Sequence, residues 1–123
     1  MKQFSNKYDL EERTAKFGED IIFLCRQIRR DEINISIIRQ LIRSATSIGA
    51  NYMEANGASS KRDFRNKIYI YRKETQETKH WLRMLSKSNS EKKEEIKILW
   101  KECQELTLIF FKIASSCNKA SKV

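Results

Sequence analysis

KETQETKHWL, residues 73–82, places Glu74 and Glu77 one turn apart on a helix and follows them with His80 and Trp81. Glu-x-x-His is a metal-ligand spacing in di-iron helical bundles, which need that motif from two helices and a further glutamate from each of the other two. His80 is the only histidine in the chain, so no second copy of the motif exists. It also lies about 100° round the helix from Trp81, toward Lys79 and Arg83. Read for packing, the same region sets Phe64, Ile68, Tyr71, Thr75, Thr78, Leu82 and Leu85 at steps of three and four, an inward-facing seam. The expectation is a bundle helix whose two glutamates are structural, with no metal and no other cofactor.

Outward from that helix, the pattern continues in both directions. Ser60-x-x-Asp63 supplies its capping box. Upstream, Ile38, Leu41, Ala45, Ile48, Tyr52 and Ala55 mark a helix from about Ser36 to Ala55, stopped at Asn56-Gly57, where glycine accepts a left-handed turn. A first helix begins near Asp9, buries Phe17, Ile21, Leu24, Cys25 and Ile28, and ends in the charged loop RRDEIN. Downstream, the polar string KSNSEKKEE offers Ser88 and Ser90 as rival caps for a fourth helix. Its seam is Ile96, Leu99, Cys103, Leu106, Phe110, Ile113, Cys117 and Ala120. No proline and three glycines in 123 residues agree with an all-α, antiparallel up-and-down four-helix bundle, left-handed, forming one domain.

Beside the seams lie polar stripes. Arg43, Ser47, Asn51 and Glu54 follow one another at steps of four, four and three, and Ile70, Glu74, Glu77, Trp81 and Met84 form a matching row on the next helix. Half-buried carboxylates need a cation or several donors. A polar network is therefore expected, with Arg43 neutralising Glu74 or Glu77, Asn51 and Ser47 donating, and a cost of several kcal/mol on Arg43→Ala. The opposite side of the same helix carries Arg62, Arg65, Tyr69, Arg72, Gln76, Lys79 and Arg83. Residues 61–87 hold nine basic and three acidic side chains. A cationic row with a tyrosine in it suits a nucleic-acid backbone, RNA before DNA, with Tyr69 as a stacking partner. The competing reading is a charged rim that docks an acidic protein such as a polymerase or reverse transcriptase.

The net charge of +9 is uneven, since residues 1–60 hold nine Lys/Arg against eight Asp/Glu and residues 61–123 hold sixteen against eight. Nothing in the chain places a base beside a serine or cysteine nucleophile by motif, and there is no glycine-rich phosphate loop, so a non-enzymatic protein is expected. Cys25, Cys103 and Cys117 sit singly on apolar stripes and read as reduced core thiols. No run approaches the roughly 20 apolar residues of a membrane helix, and a cytoplasmic location follows as the expectation. LTLIFFKIA, residues 106–114, is apolar nearly all round. With Trp100, Phe111 and Ala114 forming a second stripe, it predicts a homo-oligomer whose contact adds Ile22 and Phe23 of the first helix.

RSATSIGANYMEANGASSKRDF followed by YRKETQETKHWLRML resembles the bacterial four-helix-bundle family that includes proteins encoded by intervening sequences inside large-subunit ribosomal RNA genes. The resemblance rests on Arg43, Ala45, Ser47, Asn51, Glu54, Ala55, Ser60, Asp63, Phe64, Lys73, Glu74, Glu77, Thr78, Trp81 and Leu82, and spans essentially the whole chain. It implies antiparallel bundles assembled as homopentameric barrels around a central channel. A related branch, the accessory proteins of diversity-generating retroelements, implies RNA and a reverse transcriptase as partners, without catalysis. His80 departs from the pattern, standing where a tyrosine is expected before the tryptophan.

Overall fold

The structure, a computed structural model, describes residues 9–122, with side chains as far as Ser116. Four helices follow in order: α1 (Leu10–Arg26), α2 (Glu32–Asn56), α3 (Lys61–Ser88) and α4 (Lys93–Lys122), with a single 3-10 turn, Ser90–Lys92, before the last. No strand occurs among the described residues.

The helix starts are set by side chains that accept free backbone N–H groups. Asp9 accepts from Glu12 N at 3.1 Å, and Glu11 and Glu12 then place negative charge at the positive end of α1. Asp31 accepts from Asn34 N at 2.7 Å, which starts α2 at Glu32 rather than Ser36 and draws the second half of RRDEIN into the helix. Ser60 Oγ accepts from Asp63 N at 3.0 Å, while the Asp63 carboxylate reaches back to Ser59 N rather than Ser60 N. Neither Ser88 nor Ser90 heads α4, because the chain passes through the 3-10 turn and Ser88 Oγ donates instead to Asn34 Oδ1. Gly57 does end α2, but with φ −95° and its N–H on the carbonyls of Met53 and Glu54, so no left-handed residue is involved.

Pairwise contacts run α1 on α2, α2 on α3, α3 on α4 and α1 on α4. The residue pairs descend on one helix as they rise on its neighbour. Arg43 meets Glu74 and Glu77 while Glu54 meets Lys67, and Arg13 meets Glu102 while Gln27 meets Lys92. The bundle is therefore antiparallel, with α1/α2 and α3/α4 as opposite sides. Between α1 and α2 the backbones approach closely at Gly49, where an added Cβ would stand 3.3 Å from Thr14 Oγ1.

The predicted seams meet in the middle. Phe17, Ile21, Leu41, Ala45, Ile48, Ile68, Tyr71, Leu82, Leu85, Cys103, Leu106 and Phe110 are all buried to within 1–2% exposure, each apolar side chain contributing on the order of 2 kcal/mol. Ile38, Tyr52, Phe64, Leu99 and Ile113 pack at the margin. Cys117 and Ala120, the last predicted seam positions, lie outside the described side chains. Tyr52 and Phe110 meet edge to face at 5.4 Å across the α2–α4 diagonal, with Tyr71 of α3 against both. The Tyr71 hydroxyl has no hydrogen-bond partner among the described residues, and burial pushes its pKa up.

Polar seam positions are satisfied locally. Thr75 and Thr78 donate to the carbonyls of Arg72 and Glu74, and Thr78 also bonds Ser44 Oγ of α2 at 2.9 Å. Cys25 and Cys103 are free and buried, and burial pushes their thiols up to about 11 and about 12. No helix among the described residues is long and apolar enough to cross a membrane.

Candidate nucleic-acid interface

Because α3 packs on α2 with one flank and on α4 with the other, its charged residues divide into two groups with different partners. On the α2 flank Arg43 lies between the two glutamates of KETQETKHWL, with Nη2 on Glu77 Oε1 and Nη1 3.5 Å from Glu74 Oε1. The Glu74 side chain is only 15% exposed, against 37% for Glu77 and 48% for Arg43. Burial raises the Glu74 pKa, the nearby Arg43 guanidinium lowers it, and the Glu77 charge raises it again, leaving a net rise.

The rest of the predicted network does not join this cluster. Ser47 Oγ donates to Arg43 O at 2.6 Å and Asn51 Nδ2 to Ser47 O at 2.8 Å, both back-bonds to their own helix. Glu54 is exposed and pairs with Lys67 Nζ at 2.8 Å. Short polar side chains reach the carbonyl four residues back more readily than a neighbouring helix. Since Arg43 is half in water, Arg43→Ala is expected to cost about 1 kcal/mol instead of several, measured by urea unfolding. A loss above 3 kcal/mol would restore the buried-network reading.

Besides the Thr78–Ser44 bond, a buried polar contact lies at the end of the bundle where the α1–α2 and α3–α4 connections converge. Asn34 and Asn89 exchange amide hydrogen bonds of 3.1 and 2.8 Å, with 1% and 3% exposure. Asn34 Nδ2 also reaches Arg29 O, Asn89 Nδ2 reaches Leu85 O, and Ser88 Oγ caps the pair. Both asparagines fall in stretches that read as loops. The available signal was the Asp31-x-x-Asn34 cap, which makes Asn34 the third residue of a helix facing inward.

On the other flank of α3, Arg62, Tyr69 and Arg83 are exposed and Arg65 is half-buried. Tyr69, at 64% exposure, forms an open shelf with Ile70, Arg72, Lys73 and Gln76. Arg72 and Lys79 lean onto α4. The Arg72 guanidinium sits 3.9 Å over the Phe111 ring, and Lys79 Nζ lies 5.6 Å from the Trp100 ring and 2.6 Å from Gln104 Oε1. Aromatic residues predicted for a subunit contact thus sit beneath cations predicted for a polyanion. The row also continues along α3 and onto α4: Arg83 and Lys87 share one groove with Lys93, Lys97 and Lys101. Lys87 and Lys93 fall in the string KSNSEKKEE, which reads as a connection, and Lys93, Lys97 and Lys101 follow one another at i, i+4 and i+8 on one face of the last helix.

The predicted oligomer contact divides as well. Ile22 lines grooves between α1 and α2, and Phe23 is 67% exposed on α1. Trp100, Phe111 and Ala114 line grooves between α3 and α4, on the opposite side. A rigid bundle cannot present all five in one self-complementary patch. His80 is exposed, with its ring edge-on to Trp81 at 4.8 Å.

The family described as 23S rRNA-intervening sequence protein matches residues 6–112. A crystal structure of a protein of unknown function from the S23 ribosomal protein family of Bacteroides thetaiotaomicron superposes with a TM-score of 0.75 at 29% identity, covering 85% of this chain and 96% of that one. No curated protein matches the chain. The bundle and its linked α2–α3 motifs accordingly place this chain in the 23S rRNA-intervening sequence protein family.

Proposed function

We propose that this protein is a non-catalytic, basic, oligomeric bundle that binds structured nucleic acid, RNA in preference to DNA, through the outer flank of α3. The observation that carries the reading is the segregation of charge on α3, with Glu74 and Glu77 tied to Arg43 on one flank and Arg62, Arg65, Arg72, Lys79 and Arg83 on the other. The chemistry-bearing groups support a binding role, since burial holds Cys25 and Cys103 as thiols and the half-buried Glu74 is paired with Arg43. Five phosphate contacts predict an RNA affinity that falls with salt at a log–log slope of about −4, read by fluorescence anisotropy on an RNA hairpin. Undetectable binding at low salt, or binding indifferent to salt, would remove the proposal.

Assembly multiplies such a surface. Ile22 lies in two grooves of the α1/α2 side, one rimmed by Glu11, Glu12 and Glu19 and one by Arg26, Arg30 and Arg39, and Phe111 lies in a groove between α3 and α4. Unlike apolar grooves on opposite sides suit head-to-tail contacts that close a ring, the pentameric barrel being the form implied by the resemblance. Light scattering at micromolar concentration is expected to give a multiple of 14.6 kDa, and a monomer there would refute the ring.

A further inference from the structure

We infer that the groove between the C-terminal part of α3 and the N-terminal part of α4 holds an unpaired strand of nucleic acid, with one base against Trp100 and phosphates along Lys93, Lys97 and Lys101. This rests on the nucleic-acid reading above and names the form of ligand and its place. Arg83 and Lys87 from α3 face the same groove as the three lysines of α4, over an apolar floor that includes Leu82 and Ile96. No carboxylate lines it, and none pairs with any of the five cations among the described residues. Five like charges around one apolar floor repel one another, and a polyanion relieves that repulsion.

The geometry selects a single strand. Lys93, Lys97 and Lys101 stand one above another on α4, rising about 6 Å at each step, a row of cations parallel to the groove. Trp100 lies within that row, 38% exposed, and the Lys79 ammonium is 5.6 Å from its ring centroid. Bases of an unpaired strand stack on such a ring whatever their sequence. A duplex keeps its bases inside the stack, and helices packed about 8–10 Å apart leave no room for one between them. A second copy seated by this same groove would bring its own five cations, which rules out a two-fold contact through Trp100.

In a Trp81→Phe background Trp100 is the sole tryptophan. Titration with a short oligouridylate is expected to quench its emission, and a blunt RNA duplex of equal charge is expected to leave it unchanged. Trp100→Ala should weaken oligouridylate binding by about tenfold. The Lys93→Ala/Lys97→Ala/Lys101→Ala variant, whose substitutions are all on the surface, should reduce the salt slope by about 2. Oligouridylate binding that is unaltered in both variants, with Trp100 emission unmoved, overturns the groove while salt-sensitive hairpin binding keeps the α3 reading. Loss of the oligomer in the triple variant also overturns it, by making the groove a subunit contact. If no RNA binds at all, both readings fall.

Discussion

Phe110→Ala is expected to lower the stability of the bundle by about 4 kcal/mol, more than any surface change considered above. Phe110 is fully buried and its ring touches Tyr52 of α2 and Tyr71 of α3, so one side chain on α4 closes the space between three helices. The loss has two parts, the transfer of the ring out of an apolar place and the cavity left behind. The cavity cannot collapse easily, because Tyr71 and its neighbours are held by helices capped at their N-terminal ends. Phe111→Ala, one residue on and 41% exposed, should cost less than about 1 kcal/mol in the isolated chain. Urea unfolding of the two variants checks the pair, with the midpoint expected to fall at unchanged slope for Phe110→Ala alone. Equal losses would mean that α4 is not seated as described.

The second large effect concerns the loop end of the bundle. Asn89→Ala removes both amide bonds to Asn34 and leaves that buried side chain with Arg29 O, the Asp31 carboxylate and Ser88 only, a loss of about 2–3 kcal/mol. Asn34→Ala should cost a similar amount for the same reason. The double variant should cost clearly less than the two together, since each single change already destroys the shared pair. Additivity to within about 0.5 kcal/mol would show that the asparagines do not act as a unit. This pair ties the α1–α2 connection to the α3–α4 connection, and so fixes how far the two halves slide along each other.

The two sites differ in how far a chain read residue by residue could reveal them. Phe110 belongs to a heptad rhythm that pointed inward from the start, as did Leu82 and Ile48, because a 3.6-residue repeat fixes which side of a helix a residue occupies. Asn34 and Asn89 lie 55 positions apart in stretches rich in charge and serine, and nothing local pairs them. The same contrast runs through the charged residues. Arg43 was recognised opposite Glu74 and Glu77 because all three lie beside a seam. Ser47 and Asn51 share that stripe but bond their own helix, Glu54 pairs with Lys67, and Lys93 falls in the polar string that separates the last two helices.

Helix number, chain order, the antiparallel arrangement and the residues that face inward were thus contained in periodicity, caps and short connections, which act over a few residues. Partner choice at the rim was not, since a long charged side chain reaches several positions and the axial offset between helices selects among them. That offset set Lys79 beside Trp100 and Arg72 over Phe111, so that cations of α3 meet the aromatic stripe of α4. Packing of whole helices settles such distances, and no single stretch of chain encodes them.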